Sequence, residues 1–499
     1  MELLDNLLLG ITVALSPQNI LFCFIGALVG TLIGVLPGIG PLATLAMLLP
    51  ATFYLPPVGA LIMLAGIYYG AQYGGSTTAI LVNLPGESSS VVTCLDGYQM
   101  GRRGRAGAAL AIAAVGSLFA GTVATFVIAL ASPPLSRLAL QFLAPEYFAL
   151  MVLGLVGSIV LAHGSVLKAV AMVFLGLLLG LVGTDINAGR ERYTFGWPEL
   201  SDGIGFVPLA LGVFGIAEIF INLEKREKRE AEAVIGSLMP TREEIRAAIP
   251  AVLRGTAVGS ILGVLPGGGA LLSSFAAYAV EKKIARDPSR FGRGAVEGVA
   301  APESANNAGA QTSFIPLLTL GIPSNPIMAL MIGAMMIQGI SPGPQVMANQ
   351  PQLFWGVIAS MWVGNLMLVI INLPLLGIWV KLLKIPYRLL FPSILLLCSI
   401  GVYSLNNSAF EVGLTALFGL LGYLFYKLDC EPAPLVLGFI LGPLMEENLR
   451  RALVVSRGDP LVFIQRPISL TLLLMAAALF LLIVLPNFRR TREEAFKEL

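Results

Sequence analysis

One string is written twice in this chain: GTLIGVLPGIG at Gly30 to Gly40 and GSILGVLPGGG at Gly259 to Gly269, 229 positions apart and identical at seven of eleven residues. Pro-Gly ends a helix, because proline has no N–H to donate and glycine has little helical preference. An apolar chain that breaks its helices at matching points of two halves must satisfy the freed backbone groups inside protein. That is the layout of membrane transporters built from repeats. The surroundings agree: 56% of the residues are hydrophobic, 12% are charged, and the mean hydropathy is +0.84. This is too apolar for a soluble globule and predicts an all-α polytopic membrane protein.

Apolar stretches long enough to cross about 30 Å of hydrocarbon recur from Ile20–Leu36 to Ile468–Leu485, predicting about ten to twelve embedded passes. The opening MELLDNLLLG lacks the basic start and small-residue cleavage site of a removable signal, so the first helix is expected to stay. Four scattered cysteines, Cys23, Cys94, Cys398 and Cys430, have no metal spacing and read as packing residues. The net charge of +2 gives no nucleic-acid signal, because the basic residues sit in short loops that set topology.

The longest polar interruption, Asn222 to Ala248, carries Lys225, Arg226, Lys228 and Arg229 and is expected in the cytoplasm. It divides the chain into a first repeat, 1–221, a linker, 222–248, a second repeat, 249–466, and a last helix with its tail, 467–499. Charges then suggest that one repeat is upside down. In the first half the basic cluster Arg102, Arg103 and Arg105 comes well after the motif, and the loop at Leu55 to Pro57 is uncharged. In the second half Lys282, Lys283, Arg286, Arg290 and Arg293 follow the motif directly, and the later loop at Ser341 is uncharged. Segments of about 21–54 and 254–282 therefore read as two re-entrant helical hairpins entering from opposite faces. The trace places the C-terminus in the cytoplasm and the N-terminus in the periplasm. One loop disagrees: Arg450, Arg451, Arg457 and Arg466 fall outside, which means a miscounted pass near Leu435 or an external partner.

Each hairpin precedes a second irregular segment, about 69–90 (YGAQYGGSTTAILVNLPGESSS) and about 301–326 (APESANNAGAQTSFIPLLTLGIPSNP). Both combine small and polar residues, an apolar stretch and a Pro/Gly break, and such groups at membrane depth must line an enclosed cavity. A half-helix starting after a break offers N–H groups and a partial positive charge to a carboxylate, while the half-helix ending there offers carbonyls to a small cation such as sodium. The candidate substrate ligands are Gly38, Gly40, Ser76, Thr77, Thr78, Gly267, Gly268, Gly269, Asn306, Asn307, Gln311, Thr312, Ser324 and Asn325. Candidate ligands for a coupling ion are Asn83, Gly86, Glu87, Glu303 and Thr319. Each has a plainer explanation. The glycines could serve close helix packing, the hydroxyls could bond back to their own helices, and Glu87 and Glu303 could cap helices at the membrane surface. Consecutive amides at Asn306 and Asn307 are the hardest to dismiss, since they need several partners. The sole histidine, His163, reads as an interfacial or capping residue.

The stretches GVLPGIGPLATLAMLLP, YYGAQYGGSTTAILVNLPGE, GYQMGRRGRAGAALAIAA and PESANNAGAQTSFIPLLTLGIPSN closely resemble the large membrane subunit of the tripartite tricarboxylate transporters, the TctA family. The resemblance implies a bacterial inner-membrane secondary transporter with no enzymatic activity and no cofactor. It implies uptake of a carboxylate, such as citrate or a di- or aromatic acid, coupled to sodium or protons. The implied partners are a periplasmic solute-binding protein and a small membrane subunit of about four helices. An elevator-type motion is expected by analogy with other transporters that carry paired hairpins. A higher oligomer stays open. The rivals are weaker. A zinc peptidase needs H-E-x-x-H and an ATPase a Walker A loop, and both are absent. A passive channel, or an exporter without a binding protein, is the remaining alternative.

Overall fold

Proline stands in the first turn of many helices, at Pro17, Pro41, Pro57, Pro326 and Pro351, although Pro50, Pro250 and Pro302 sit inside helices. The structure, a computed structural model, describes residues 2–36, 40–161, 165–185, 188–224, 235–265, 269–382 and 387–484. Eleven helices frame the polar interior. In the first half they are α1 (Glu2–Ala14), α2 (Pro17–Val35), α3 (Pro41–Thr52), α4 (Pro57–Val82) and α5 (Ala106–Ala139). In the second they are α6 (Arg242–Val264), α7 (Gly269–Ile284), α8 (Glu297–Thr312), α9 (Phe314–Leu320), α10 (Pro326–Ile337) and α11 (Pro351–Asn372). The motif tips, including Gly38, Gly267 and Gly268, lie outside the described residues, as do His163 and Lys225 to Arg229.

Two compact units form, each from two stretches of chain: Met1–Ser136 with Asn222–Leu396, and Arg137–Ile221 with Leu397–Leu499. At the heart of the first are α4 and α8. Helix α4 is buried from Gly59 to Val82 and α8 from Gly298 to Thr312, although α8 carries Glu303, Ser304, Asn306, Asn307, Gln311 and Thr312. Helices without a wet face belong inside a bundle.

Glycines bring the neighbouring helices to backbone contact. On α2, a Cβ at Gly26, Gly30 or Gly34 would strike the backbone of Met63, Ile67 or Ala71 of α4. On α6, a Cβ at Gly255, Gly259 or Gly263 would strike Ala301, Ala305 or Gly309 of α8. Each set steps by four residues, and the two sets hold equal places in the two copies of the motif, which runs from Gly30 and from Gly259. In lipid, where no hydrophobic drive pulls helices together, close small-residue packing supplies much of the attraction.

The same correspondence reaches the helix ends. Asn83 closes α4 in the left-handed region, at φ 56° and ψ 26°, and Gly321 closes α9 at φ 72° and ψ 23°. A Leu-Pro or Ile-Pro step follows each, and then an extended N-cap residue, Glu87 (φ −150°) or Asn325 (φ −155°).

One expected boundary moves. Helix α6, on which the segment read as a hairpin at about 254–282 is expected to begin, starts already at Arg242 and runs 23 residues, about 35 Å at 1.5 Å per residue, enough to cross a membrane alone. A capping box explains the start: Thr241 Oγ accepts from Glu244 N at 3.2 Å, and Thr241 N donates to Glu244 Oε2 at 2.6 Å. Arg105 Nε holds the same Glu244 at 3.1 Å. Further along, Arg254 grips Glu281 of α7 with both prongs, at 2.6 and 2.8 Å.

The second unit packs helices Ala144–Leu161, Val166–Gly180, Phe206–Glu224, Ala409–Lys427, Ala433–Val455 and Pro467–Val484. It holds one two-residue strand pair, Gly183–Thr184 with Glu191–Arg192. Here the arginines that disturbed the topology find their partners. The expected run Leu435 to Met445 continues as helix to Val455, and Arg450 on it reaches Asp185 at 3.0 Å and Glu446 at 2.6 Å. Arg192 meets Glu446 at 2.9 Å, Arg451 pairs with Glu447 one turn away, and Arg466 pairs with the buried Glu146. Arg450, Arg451 and Arg466 thus each have an ion pair within the unit.

Among the described residues, six helices are long and apolar enough to cross a membrane, and several shorter apolar ones accompany them. The chain is an all-α, multi-pass membrane protein.

Candidate functional site

The break after α4 builds the first half of the site. Asn83 turns the chain back, and Gly86 lies where a Cβ would collide with the Gly34 carbonyl and lie 2.5 Å from Gly75 Cα, so only glycine fits. This seats Glu87 inside the unit as the cap of the turn Ser88–Ser90. Its carboxyl receives Ser89 Oγ and Asn306 Nδ2, the latter at 3.2 Å from Oε1, while Ser89 Oγ also lies 3.0 Å from Asn306 Oδ1. Ser89 has one proton for two acceptors. Ser274 of α7 closes the ring by donating to the Ser89 carbonyl at 2.8 Å.

Glu303 sits in the middle of α8, 2% exposed. Ser76 of α4 donates to its Oε2 at 2.6 Å, and Thr93 donates to its Oε1. Ser117 of α5 donates to its backbone carbonyl at 3.3 Å. The structure thus answers the question of surface capping differently for the two carboxylates. Glu87 caps a turn but is buried, and Glu303 caps nothing and lies at no surface. Among the described residues neither is paired with lysine, arginine or histidine.

A small cavity of about 20 Å³ opens beside Glu303, with Tyr73, Ser76, Thr77, Ser117 and Asn372 on its wall. In the same unit, amides are left with orphaned atoms: both polar atoms of Gln72, Asn307 Oδ1, Gln311 Nε2, Asn365 Oδ1 and, on the cavity wall, Asn372 Oδ1 are buried without a partner. Proteins leave few such atoms; these amide ones lie on α4, α8 and α11, and the hydroxyls of Ser132, Ser136 and Ser260 are orphaned besides. Gln311 does receive Thr125 Oγ at 2.8 Å on its oxygen.

The remaining sequence candidates divide. Thr77, Thr78, Thr312 and Thr319 bond back to carbonyls of their own helices, at 3.1, 2.8, 2.9 and 2.6 Å. Asn325 caps α10 by accepting from Met328 N at 3.0 Å and donates to Ser313 Oγ at 3.1 Å, with Ser324 on the Ser313 carbonyl at 3.3 Å. A Cβ at Gly269 (φ +62°) would stand 2.9 Å from that Asn325 amide nitrogen. Gly40 caps α3 with open space where its Cβ would stand. Asn83 serves the helix end.

Sequence reasoning missed Ser89, Thr93, Ser117, Ser274 and Asn372, and it missed Asp96. Asn372 carried a signal, since it and Asn365 are the two amides inside the apolar run Leu353 to Val380. Asp96, fully buried in a π-helical turn, accepts from the backbone N–H of Gly292, Gly294 and Ala295 at 3.1, 2.7 and 2.7 Å and from Tyr278 Oη at 3.0 Å. It pins the turn Cys94–Tyr98 to the loop between α7 and α8. In that loop the hydroxyl and N–H of Ser289 hold the exposed Asp287 carboxyl below the usual carboxylate range. Asp96→Ala should orphan three N–H groups and cost about 3 kcal/mol or more, read as a lowered thermal midpoint in detergent. An unchanged midpoint would remove the pin.

A polar interior with two carboxylates that have no countercharge among the described residues, enclosed by glycine-packed helices of membrane length, is the kind of interior a membrane transporter subunit needs. The sequence model of the Tripartite tricarboxylate transporter TctA family matches residues 20–437, and the chain belongs to that family. It is therefore a component of a tripartite tricarboxylate transporter, which implies other subunits, and not an enzyme. It is 61% identical over 499 residues, all of this chain and 99% of the relative, to an Agrobacterium vitis protein described as an uncharacterized 52.8 kDa protein in the TAR-I ttuC′ 3′ region. A second protein of that organism, described as in the TAR-II ttuC′ 3′ region, is 60% identical over 240 residues, 48% of this chain and 99% of the relative. No solved structure matches.

Proposed function

We propose that the chain moves a carboxylate into the cell across the bacterial inner membrane, driven by a sodium or proton gradient. In this reading a periplasmic binding protein delivers the substrate, and a small membrane subunit of about four helices works alongside. The observation that carries it is the pair of buried carboxylates, Glu87 and Glu303, bonded to hydroxyls and an amide across the two halves of the chain with no cation beside them among the described residues. Such groups persist in a membrane where they take up an ion or proton. The substrate carboxylates go to the N-termini of α3 and α7, where aligned N–H groups favour an anion, together with Asn306, Asn307 and Gln311. The two halves act as inverted repeats, which the swapped loop charges support. Movement of the first unit as an elevator is the corresponding motion, and it rests on analogy.

The test is uptake of labelled citrate and a panel of di- and aromatic carboxylates into proteoliposomes holding this chain, its small subunit and its binding protein. Accumulation above the outside concentration, collapsing when the sodium and proton gradients are removed, is the expected result. Uptake that only equilibrates, at a rate indifferent to both gradients and to the binding protein, would establish a passive channel instead.

A further inference from the structure

The cavity beside Glu303 is too small for the substrate. Ligand pockets for small molecules measure roughly 300–1,000 Å³, whereas this one measures about 20 Å³. A space of that size takes one water-sized occupant, which needs about 10–15 Å³. Its occupant is therefore an ion or a water, and the wall decides between them.

Every polar group on that wall presents oxygen. Glu303 brings the single negative charge, Ser76 and Ser117 bring hydroxyls, and Tyr73 brings a phenol whose proton is directed at the Ala114 carbonyl at 3.3 Å. Thr77 has its proton on its own helix, which leaves its oxygen lone pairs free.

The deciding member is Asn372, the last residue of α11. Its Nδ2 is committed to the Leu368 carbonyl at 2.9 Å and Thr31 Oγ at 3.3 Å, which fixes the amide orientation. Its Oδ1 is buried without any partner, and the residue is 6% exposed. An orphaned acceptor and a carboxylate with no countercharge among the described residues, on two residues that line one ion-sized space, want the same thing. A water would satisfy the amide oxygen and leave the charge. A monovalent cation satisfies both. A divalent cation would leave one positive charge uncompensated, since the wall offers a single carboxylate.

We infer that Glu303, Ser76, Thr77, Ser117, Tyr73 and the Asn372 amide oxygen form a binding site for one small monovalent cation of sodium's class. The inference rests on the coupled-transport reading and assigns its ion to this place rather than to Glu87, Asn83 or Thr319. The site joins α4, α5, α8 and α11, so occupancy ties the two central helices to their neighbours.

The test is binding of radioactive sodium to the purified full-length chain in detergent, at constant ionic strength with choline as the replacement. It needs no gradient, no binding protein and no carboxylate, so its failure is a separate result from a failure of coupled uptake. The wild type should bind sodium, and sodium should raise its thermal midpoint while choline does not. Asn372→Ala should weaken sodium binding at least about tenfold and abolish the sodium-induced rise, as should Glu303→Gln. Asn372→Asp keeps the oxygen and should retain binding, which separates a lost ligand from a misfolded chain. Thr471→Val, on an exposed hydroxyl of the second unit, should change nothing. Sodium binding that survives Asn372→Ala and Glu303→Gln, or that is lost in Glu87→Gln but kept in Asn372→Ala, overturns the assignment. So does a wild type that binds no sodium.

Discussion

Gly30→Leu is expected to leave little folded protein in the membrane. The position lies mid-helix, away from the motif tip but next to Thr31, whose hydroxyl holds Asn372, so the folding readout rather than transport reports the packing. A Cβ there would stand 2.8 Å from Ile67 Cα and 2.9 Å from its carbonyl carbon, and closer still to the carbonyl oxygen. Those are backbone atoms of a helix buried along its length, which cannot swing aside as a side-chain end can. Relief requires α2 and α4 to separate over the whole Gly26, Gly30 and Gly34 stripe, forfeiting the contacts that hold helices together in lipid. Overpacking a tight core costs about 1–3 kcal/mol where side chains can adjust, and the cost here exceeds that range. Gly259→Leu should behave alike, since its Cβ meets Ala305 in the same geometry. Gly40→Ala, with nothing within 4 Å and an ordinary φ of −73°, should fold. Size-exclusion profiles and thermal midpoints of detergent extracts decide it. A monodisperse Gly30→Leu with the wild-type midpoint would show that the stripe is not a tight contact.

This contrast divides the repeated motif by function. Its upstream glycines are packing residues by geometry, and they were legible as a four-residue spacing that the Pro-Gly break overshadowed. The substrate contact proposed for the motif would then rest with its downstream glycines, Gly38 to Gly40 and Gly267 to Gly269. The helix ends at Asn83 and Gly321 were also legible, because a left-handed cap followed by proline leaves a local mark.

What the chain conceals is pairing at long range. Glu87 meets Asn306 at a separation of 219 residues, Ser76 meets Glu303 at 227, and Asn372 meets Thr31 at 341. Periodicity and caps are written within one helix turn or one break, so they specify which residues are polar and buried but not which partner each one finds. The same gap explains the arginines near the C-terminus. Counted as loop charges they argued about topology, and only the fold brings Arg450 to Asp185, 265 residues away. The start of α6 is the opposite case, since Thr241 and Glu244 write a capping box within one turn, and only the Arg105 that also holds Glu244 comes from the other half of the chain.

Asn306→Ala should reduce carboxylate uptake about ten- to a hundredfold while the chain still inserts and stays monodisperse. Asn306 belongs to α8, yet both its amide atoms face the break after α4: Nδ2 donates to Glu87 Oε1 and Oδ1 lies within reach of Ser89 Oγ. It is therefore the bridge between the second half's central helix and the first half's broken segment. Alanine removes a hydrogen bond to a carboxyl group, worth about 1.5–3 kcal/mol, and at about 1.4 kcal/mol per decade that is one to two orders of magnitude in any state that depends on it. The small-residue packing of α8 tolerates alanine, since its neighbours Ala305 and Ala308 are already fully buried, so the loss should fall on transport more than on folding. Asn306→Asp distinguishes bonding from shape: it keeps the size but sets a second acidic group against Glu87 and should be at least as damaging. Asn307→Ala removes the orphaned Oδ1 beside it and, if that oxygen serves the substrate or its ion, should lower uptake too. Initial rates in gradient-loaded proteoliposomes measure all three. Wild-type rates in both alanine variants would take the amide pair out of the transport site and return it to the scaffold.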